Sequence, residues 1–287
     1  MEIIVRNPQN GEIPDLRHIF TSAFGKFEEP VFFDYWFTKD MCALAICDGV
    51  PAAAGYILPA GRLIANGQAT PCAMIYALST LSEYRGRGLG AEIVRKLLSI
   101  GHDAGFEEIV LCPSDDKLFE YYGTHTEFKD WFYVREERFS SVPADNRLSK
   151  ISKITAREYG AMREKFLADF PHIELDLRNL EYHELLCKTL GGGFYCISES
   201  GGNVRACVAV EMQSDGGVWV KELLADDGYG LSAVSQIAKE LPAQGYLVRT
   251  PVRQPGENVR RFGMIISPEY NVLDGGKPLP WYGLAFD

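Results

Sequence analysis

The chain has 287 residues, of which 46% are hydrophobic and 24% charged, and a formal net charge of −10. That length suits two domains of about 100–150 residues each, and the balance is that of a soluble globular protein. The acidity opposes binding to nucleic acid and favours cationic small molecules, no run of about 18 apolar residues offers a membrane span, and residues 1–6 have the layout of a strand rather than a signal peptide, so a cytoplasmic protein is expected.

Residues 2–6 read as a first strand. Ile13, Leu16, Ile19, Phe20 and Phe24 recur at helical spacing over Ile13–Phe24, and the aromatic residues 30–37 read as a second short helix. Cys42–Cys47 and residues 52–58 read as strands joined by Asp48-Gly49-Val50-Pro51. Asn66-Gly67 marks another hairpin, and residues 73–78 form a strand that runs into the polar turn 79–84. Over residues 88–104, Leu89, Ile93 and Leu97 make one apolar stripe, widened by Val94 and Leu98 and faced by Glu92, Arg95, Lys96, Ser99 and Asp103. This is an amphipathic helix laid on a sheet. The short apolar strand 108–112 closes a βαβ unit. A short helix at 118–122 and a strand at 129–139 complete the first half.

Residues 140–153 are rich in Ser, Pro, Asp, Asn and Lys, so the linker is expected at about 141–153, between domains at 1–140 and 154–287. The second half reads as helices at 156–169 and 181–190, and strands at 194–198, Val204–Met212 and 218–224. A helix at 231–241 and a strand at Tyr246–Thr250 follow. The last three elements mirror 73–78, 88–104 and 108–112, which suggests a degenerate duplication. The second copy carries Asp226-Asp227-Gly228-Tyr229-Gly230 where the first carries two arginines. Aspartates cannot cradle phosphate, so the second copy is not expected to bind the same ligand.

The seven cysteines are odd in number and show no C-x-x-C spacing, and the five histidines show no H-E-x-x-H pattern. Reduced core thiols and no dedicated metal site are expected.

The chemistry points to Arg85-Gly86-Arg87-Gly88-Leu89-Gly90-Ala91 at the head of the helix. Alternate glycines free main-chain N–H groups to converge, the helix start adds unpaired donors and partial positive charge, and two arginines add full charges. A P-loop would need Lys-Ser or Lys-Thr, which is missing. The dinucleotide pattern G-x-G-x-x-A fits Gly86, Gly88 and Ala91, but its first glycine should follow a strand directly, and here residues 79–85 intervene. An unliganded cap would need one glycine rather than three.

Arg85-x-x-Gly88-x-Gly90 resembles the [QR]-x-x-G-x-[GA] signature of the GCN5-related N-acetyltransferases (GNAT). Ile75-Tyr76-Ala77-Leu78-Ser79-Thr80 resembles that family's central strand, Ser82-Glu83-Tyr84 the approach to its pyrophosphate loop, and Leu118-Phe119-Glu120-Tyr121-Tyr122 its later helix. The resemblance covers about residues 1–140, and the second half shares only the layout. It implies an α/β fold: a GNAT-like first lobe with splayed central strands, and a second GNAT-like lobe lacking the pyrophosphate loop. It implies acetyl-CoA as co-substrate and transfer of an acetyl or short acyl group to a primary amine, on a small molecule or a peptide, by direct attack in a ternary complex. A non-catalytic acyl-CoA-binding or sensor protein is the alternative.

Carried over residue by residue, main-chain groups of Leu78, Ser79 and Thr80 would hold the pantetheine arm and acetyl carbonyl. The N–H groups of Arg85, Gly86, Arg87, Gly88, Leu89, Gly90 and Ala91 would hold the pyrophosphate, and Ser114 would reach the pantetheine or adenosine. Tyr122, or next to it Tyr121, would protonate the leaving thiolate. The family's Gly-Phe after this tyrosine is replaced by Thr126-Glu127-Phe128, one residue longer, which leaves the choice between the two open. The base is open as well. Glu28, Glu29 and Asp34 lie in the segment that lines the acceptor site in the family, although each also reads as a solvated surface charge. A water chain, or the terminal carboxylate of Asp287 as in some tandem-lobe relatives, would serve instead.

Overall fold

The computed structural model describes residues 2–26, 29–254, 256, 258–266 and 277–286. In chain order the first half comprises β1 (Ile3–Arg6), α1 (Ile13–Phe24), α2 (Glu29–Tyr35), β2 (Cys42–Cys47), β3 (Val50–Ala65), β4 (Gln68–Thr80), α3 (Leu89–Asp103), β5 (Glu108–Leu111), α4 (Asp116–His125) and β6 (Phe128–Phe139). The second comprises β7 (Lys150–Lys153), α5 (Ala156–Leu167), β8 (His172–Glu174), α6 (Leu177–Thr189), β9 (Gly193–Ser198), β10 (Val204–Met212), β11 (Val218–Ala225), α7 (Gly230–Glu240), β12 (Tyr246–Thr250) and β13 (Val259–Ile266).

The expected elements are present, and several run longer than their apolar stretches. The β3–β4 hairpin extends through the polar tip at Asn66-Gly67, whose φ angles of 49° and 76° give the left-handed turn that matches strand twist. The expected linker ends in β7, an edge strand paired with β9. Two strands carry no signal in the sequence, β8 and β13. Arg260-Arg261 and Gly263 break the alternation of β13, and its place between two strands of the first half supplies the missing hydrogen bonds.

One mixed sheet runs through both halves in the order β1-β2-β3-β4-β5-β13-β6-β12-β11-β10-β9-β7, with β8 added beside β3. The centre is a reciprocal exchange: β13 separates β5 from β6, and β6 separates β13 from β12. The two halves also repeat each other's pairing. β2-β3-β4 and β9-β10-β11 are antiparallel, and each is followed by a helix and a parallel strand, β5 or β12. One face of the first half packs on α3 through Ile93, Val94 and Leu97. The other packs on α1, α2 and α6 and on residues 281–286, in a core continuous across the halves.

Phe32, Phe33 and Trp36 of the aromatic segment are buried in that second core, the two phenylalanines against Phe20 and Tyr56 and the tryptophan against Tyr182 and Phe286. Five of the seven cysteines are buried. No helix among the described residues is long and apolar enough to cross a membrane.

Candidate active site

The central strand β4 pairs in parallel with β5 only from Cys72–Glu108 to Ile75–Leu111, and beyond that pair the strands part. The cause lies in β4 itself. Against β3, Ala54 faces Ser79 but Tyr56 faces Tyr76, so β4 carries one extra residue, and Ala77 takes a left-handed φ of 49°. Such a bulge bends the strand and turns its peptide groups out of the ladder. A non-glycine residue in that conformation is strained by about 1–3 kcal/mol, a cost typical of functional sites. β11 bulges at the equivalent point, where Ala209 faces Glu222 and Val210 faces Val220.

A cleft of about 470 Å³ opens where β4 and β5 part, lined by residues 74–78, Leu111, Cys112, Pro113, Ser114 and Tyr122. Its other wall comes from the exchanged strands and the second half: Glu136, Trp219, Arg249, Arg260, Phe262 and Phe286. Of the expected contacts, Leu78, Ser114 and Tyr122 therefore reach the cleft. Ser79 is buried, with its hydroxyl 3.5 Å from the Ile19 carbonyl, and the Thr80 carbonyl accepts from Arg85 Nε at 3.2 Å.

The loop stands at the start of α3. Gly86 and Gly88 have φ angles of 74° and 78°, and a Cβ on either would meet nothing within 4 Å. Glycine is required there for the backbone turn, and the space in front stays open. Gly90 serves otherwise: a Cβ would come within 2.9 Å of the Tyr121 hydroxyl, so this glycine lets α4 approach α3. Among the described residues, no main-chain N–H from Gly86 to Ala91 has a hydrogen-bond partner within the protein, whereas Glu92 N–H already donates to Gly88 at 3.3 Å. The two arginines brace the loop. Arg87 donates to the Glu83 carbonyl at 3.0 Å and lies over the Tyr84 ring, and Arg85 reaches back to Thr80. The site thus presents six amides without a partner within the protein, on a loop that carries two arginines.

The two tyrosines part company. Tyr122 is buried in the cleft wall, and burial pushes its phenol well above the ordinary value, with the neighbouring Tyr121 adding to the rise. Tyr121 lies against Gly90 and stacks on His125, ring centroids 4.7 Å apart.

Of the carboxylates expected near the acceptor, Glu29 pairs with Arg17, Asp34 lies on the exposed surface 3.8 Å from Arg17, and neither lines the cleft. Glu28 and Asp287 lie outside the described residues. Glu136 does line the cleft. Burial would raise its carboxyl, but Arg260 at 2.6 Å and Arg249 at 3.0 Å outweigh that and hold it below the usual range. Sequence analysis missed Glu136, Trp219, Arg249, Arg260, Phe262 and Phe286, because only the strand exchange brings them to β4. At the corresponding mouth of the second half, Asp226 pairs with Arg205 and Asp227 with Arg253 at 3.0 and 3.1 Å.

Residues 13–122 match the family model described as the acetyltransferase (GNAT) family. Among solved structures, a probable N-acyltransferase from Enterococcus faecalis matches with a TM-score of 0.67 at 14% identity, over 92% of this chain and 72% of that one. A GCN5-related N-acetyltransferase from Kribbella flavida gives 0.65 at 15% identity, over 92% and 70%, and one from Anabaena variabilis gives 0.67 at 13%, over 92% and 72%. No curated protein matches the sequence. The bulged central strand, the parted β4–β5 pair and the glycine loop at the head of α3 thus lie within the segment that matches the acetyltransferase (GNAT) family model.

Proposed function

We propose that the protein is an N-acyltransferase that moves an acetyl or short acyl group from acetyl-CoA to a primary amine within a ternary complex. Residues 1–140 form the acyl-CoA-binding unit in this reading, and residues 154–287 wall the acceptor side and do not bind acyl-CoA themselves. The observation that carries it is the conjunction of partnerless amides at Gly86–Ala91 with a cleft opened by the bulge at Ala77. The family uses acetyl-CoA as co-substrate, and the donor set fits it, because convergent N–H groups at a helix start favour phosphate oxygens.

The co-substrate supplies an acetyl thioester whose C–S bond breaks as the amine nitrogen forms the new C–N bond. The chain's own residues do the rest. Amides of Gly86, Arg87, Gly88, Leu89, Gly90 and Ala91 hold the diphosphate, the expected Arg85 amide being already engaged with the Ser82 carbonyl at 3.4 Å, while Leu78, Ser79 and Thr80 guide the arm toward the bulge and Ser114 borders it. Tyr122, kept protonated by burial, donates its proton to the departing sulfur. Tyr121 supports the loop through Gly90.

Calorimetry with acetyl-CoA, followed by a thiol-release assay over a panel of amines, tests this function. Binding with turnover is expected. Binding without turnover of any amine favours the acyl-CoA sensor, and no binding at high micromolar ligand rules out both.

A further inference from the structure

The cleft has a neighbour on the side of Tyr76, Trp219 and Phe286. A second cavity of about 280 Å³ adjoins it and shares Tyr76, Trp219 and Phe286 with it. This cavity lies between the halves. Tyr76 comes from the bulged strand of the first half, Tyr182, Leu186 and Leu190 from α6 and its end, and Met212 from β10. The walls are fixed by ring packing, because Phe286 lies against Trp36, Tyr76, Tyr182 and His183 with centroids 5.0–5.8 Å apart.

Resting on the acetyl-transfer function above, we propose that the acceptor binds in this inter-lobe cavity and is a small amine with an aromatic or branched aliphatic body. Its amino group would lie at Tyr76, where the cavity meets the cleft, and its body along Leu186, Leu190 and Met212. At about 280 Å³ the cavity lies at the small end of ligand pockets. That suits an arylalkylamine and leaves most of the apolar wall unused by a slender lysine side chain. The wall already carries one ammonium of its own. The protein seats its own Lys221 Nζ 4.8 Å from the centre of the Trp219 ring and 3.6 Å from Glu211, both at this cavity. Aromatic faces and a nearby carboxylate stabilise such a charge once it leaves water.

Initial rates with saturating acetyl-CoA, compared for phenethylamine, isopentylamine, a blocked lysine peptide and a folded lysine-rich protein, test the assignment. Both small amines are expected to exceed the peptide and the protein in kcat/KM by at least about tenfold, the scale of one filled apolar pocket. Leu190→Trp, which fills the far wall, is expected to raise the KM for phenethylamine at least about tenfold while the KM for acetyl-CoA stays within about twofold. Met212→Phe is run alongside, so that the conclusion does not depend on a single variant folding. Preference for the peptide or the protein, or an unchanged amine KM in both folded variants, overturns the proposal. So does acetyl-CoA binding with no acetylation of either small amine. Loss of acetyl-CoA binding in the wild-type protein would instead overturn the transferase function itself, which keeps the two failures apart.

Discussion

Trp281 Nε1 donates a 2.7 Å hydrogen bond to Glu222 Oε1, and both side chains are completely buried. Glu222 also accepts from Tyr159 at 2.7 Å and from Arg163 at 3.0 Å. In register, Val220 is the last residue of β11 paired with β12, as Ile75 is the last of β4 paired with β5, so Glu222 stands where the first half has Ala77. The second half has therefore filled its equivalent of the bulge with a buried charge network, and that network grips the segment that carries Phe286 into the first half's cleft.

Trp281→Phe removes one donor from this network and is expected to cost about 1–3 kcal/mol, seen as a lower Tm in thermal unfolding. Glu222→Gln takes the nearer of two carboxylates from the fully buried Arg163, leaving Glu164 at 3.3 Å, and should cost more, about 3 kcal/mol. Trp281→Phe should also raise the KM for the amine and spare that for acetyl-CoA, because it loosens only the wall at Phe286. Equal effects on both constants would mean that the network holds the whole fold rather than the acceptor side.

Tyr122→Phe is expected to lower kcat by about 10²-fold or more while leaving acetyl-CoA affinity unchanged, since in the proposed reaction the hydroxyl acts only as the thiolate departs. Tyr121→Phe, which touches the loop at Gly90, should instead weaken acetyl-CoA binding with a smaller effect on kcat. Stopped turnover and titration calorimetry on the two variants separate these roles.

The pH profile follows from the burial of Tyr122. Its phenol is raised above the ordinary value of about 10, so it remains protonated throughout the range in which amines lose their proton. The stability tied to the neutral phenol is complete below that ordinary value and is lost only as pH climbs through the raised one. Between pH 6 and 9.5, kcat/KM should rise with the free-amine fraction and show no falling limb from this residue. A descending limb near pH 9 that vanishes in Tyr122→Phe would contradict the assignment.

Gly88→Ala places a Cβ on a residue with φ of 78° and is expected to cost about 1–2 kcal/mol of strain and to weaken acetyl-CoA binding by misaligning the amides. Gly61→Ala tests the joint between halves. A Cβ there would lie 2.0 Å from the Glu174 carbonyl oxygen, so β8 must leave β3, and a lower Tm is expected without any change in the loop.

The loop, its helix and the βαβ unit around it were legible in the amino-acid order. Their signals are local: alternate glycines beside arginines, the stripe Leu89, Ile93 and Leu97, and turn residues at Asp48-Gly49 and Asn66-Gly67. The resemblance to the GNAT family and the expectation of an acyl-CoA loop rest on those signals. The choice between Tyr121 and Tyr122 was not legible, because neighbouring helical residues differ only in direction, and direction depends on what α4 packs against.

Only the tertiary structure decided the bulge at Ala77, the exchange of β6 and β13, the network around Glu222 and the cavity between the halves. Each depends on which distant strand supplies a hydrogen-bond partner or which distant face covers a side chain. Sequence order sets the conformations a segment prefers. Pairing across more than a hundred residues, as between β13 and β5, is settled by burial and hydrogen bonding among segments that cannot be read one at a time.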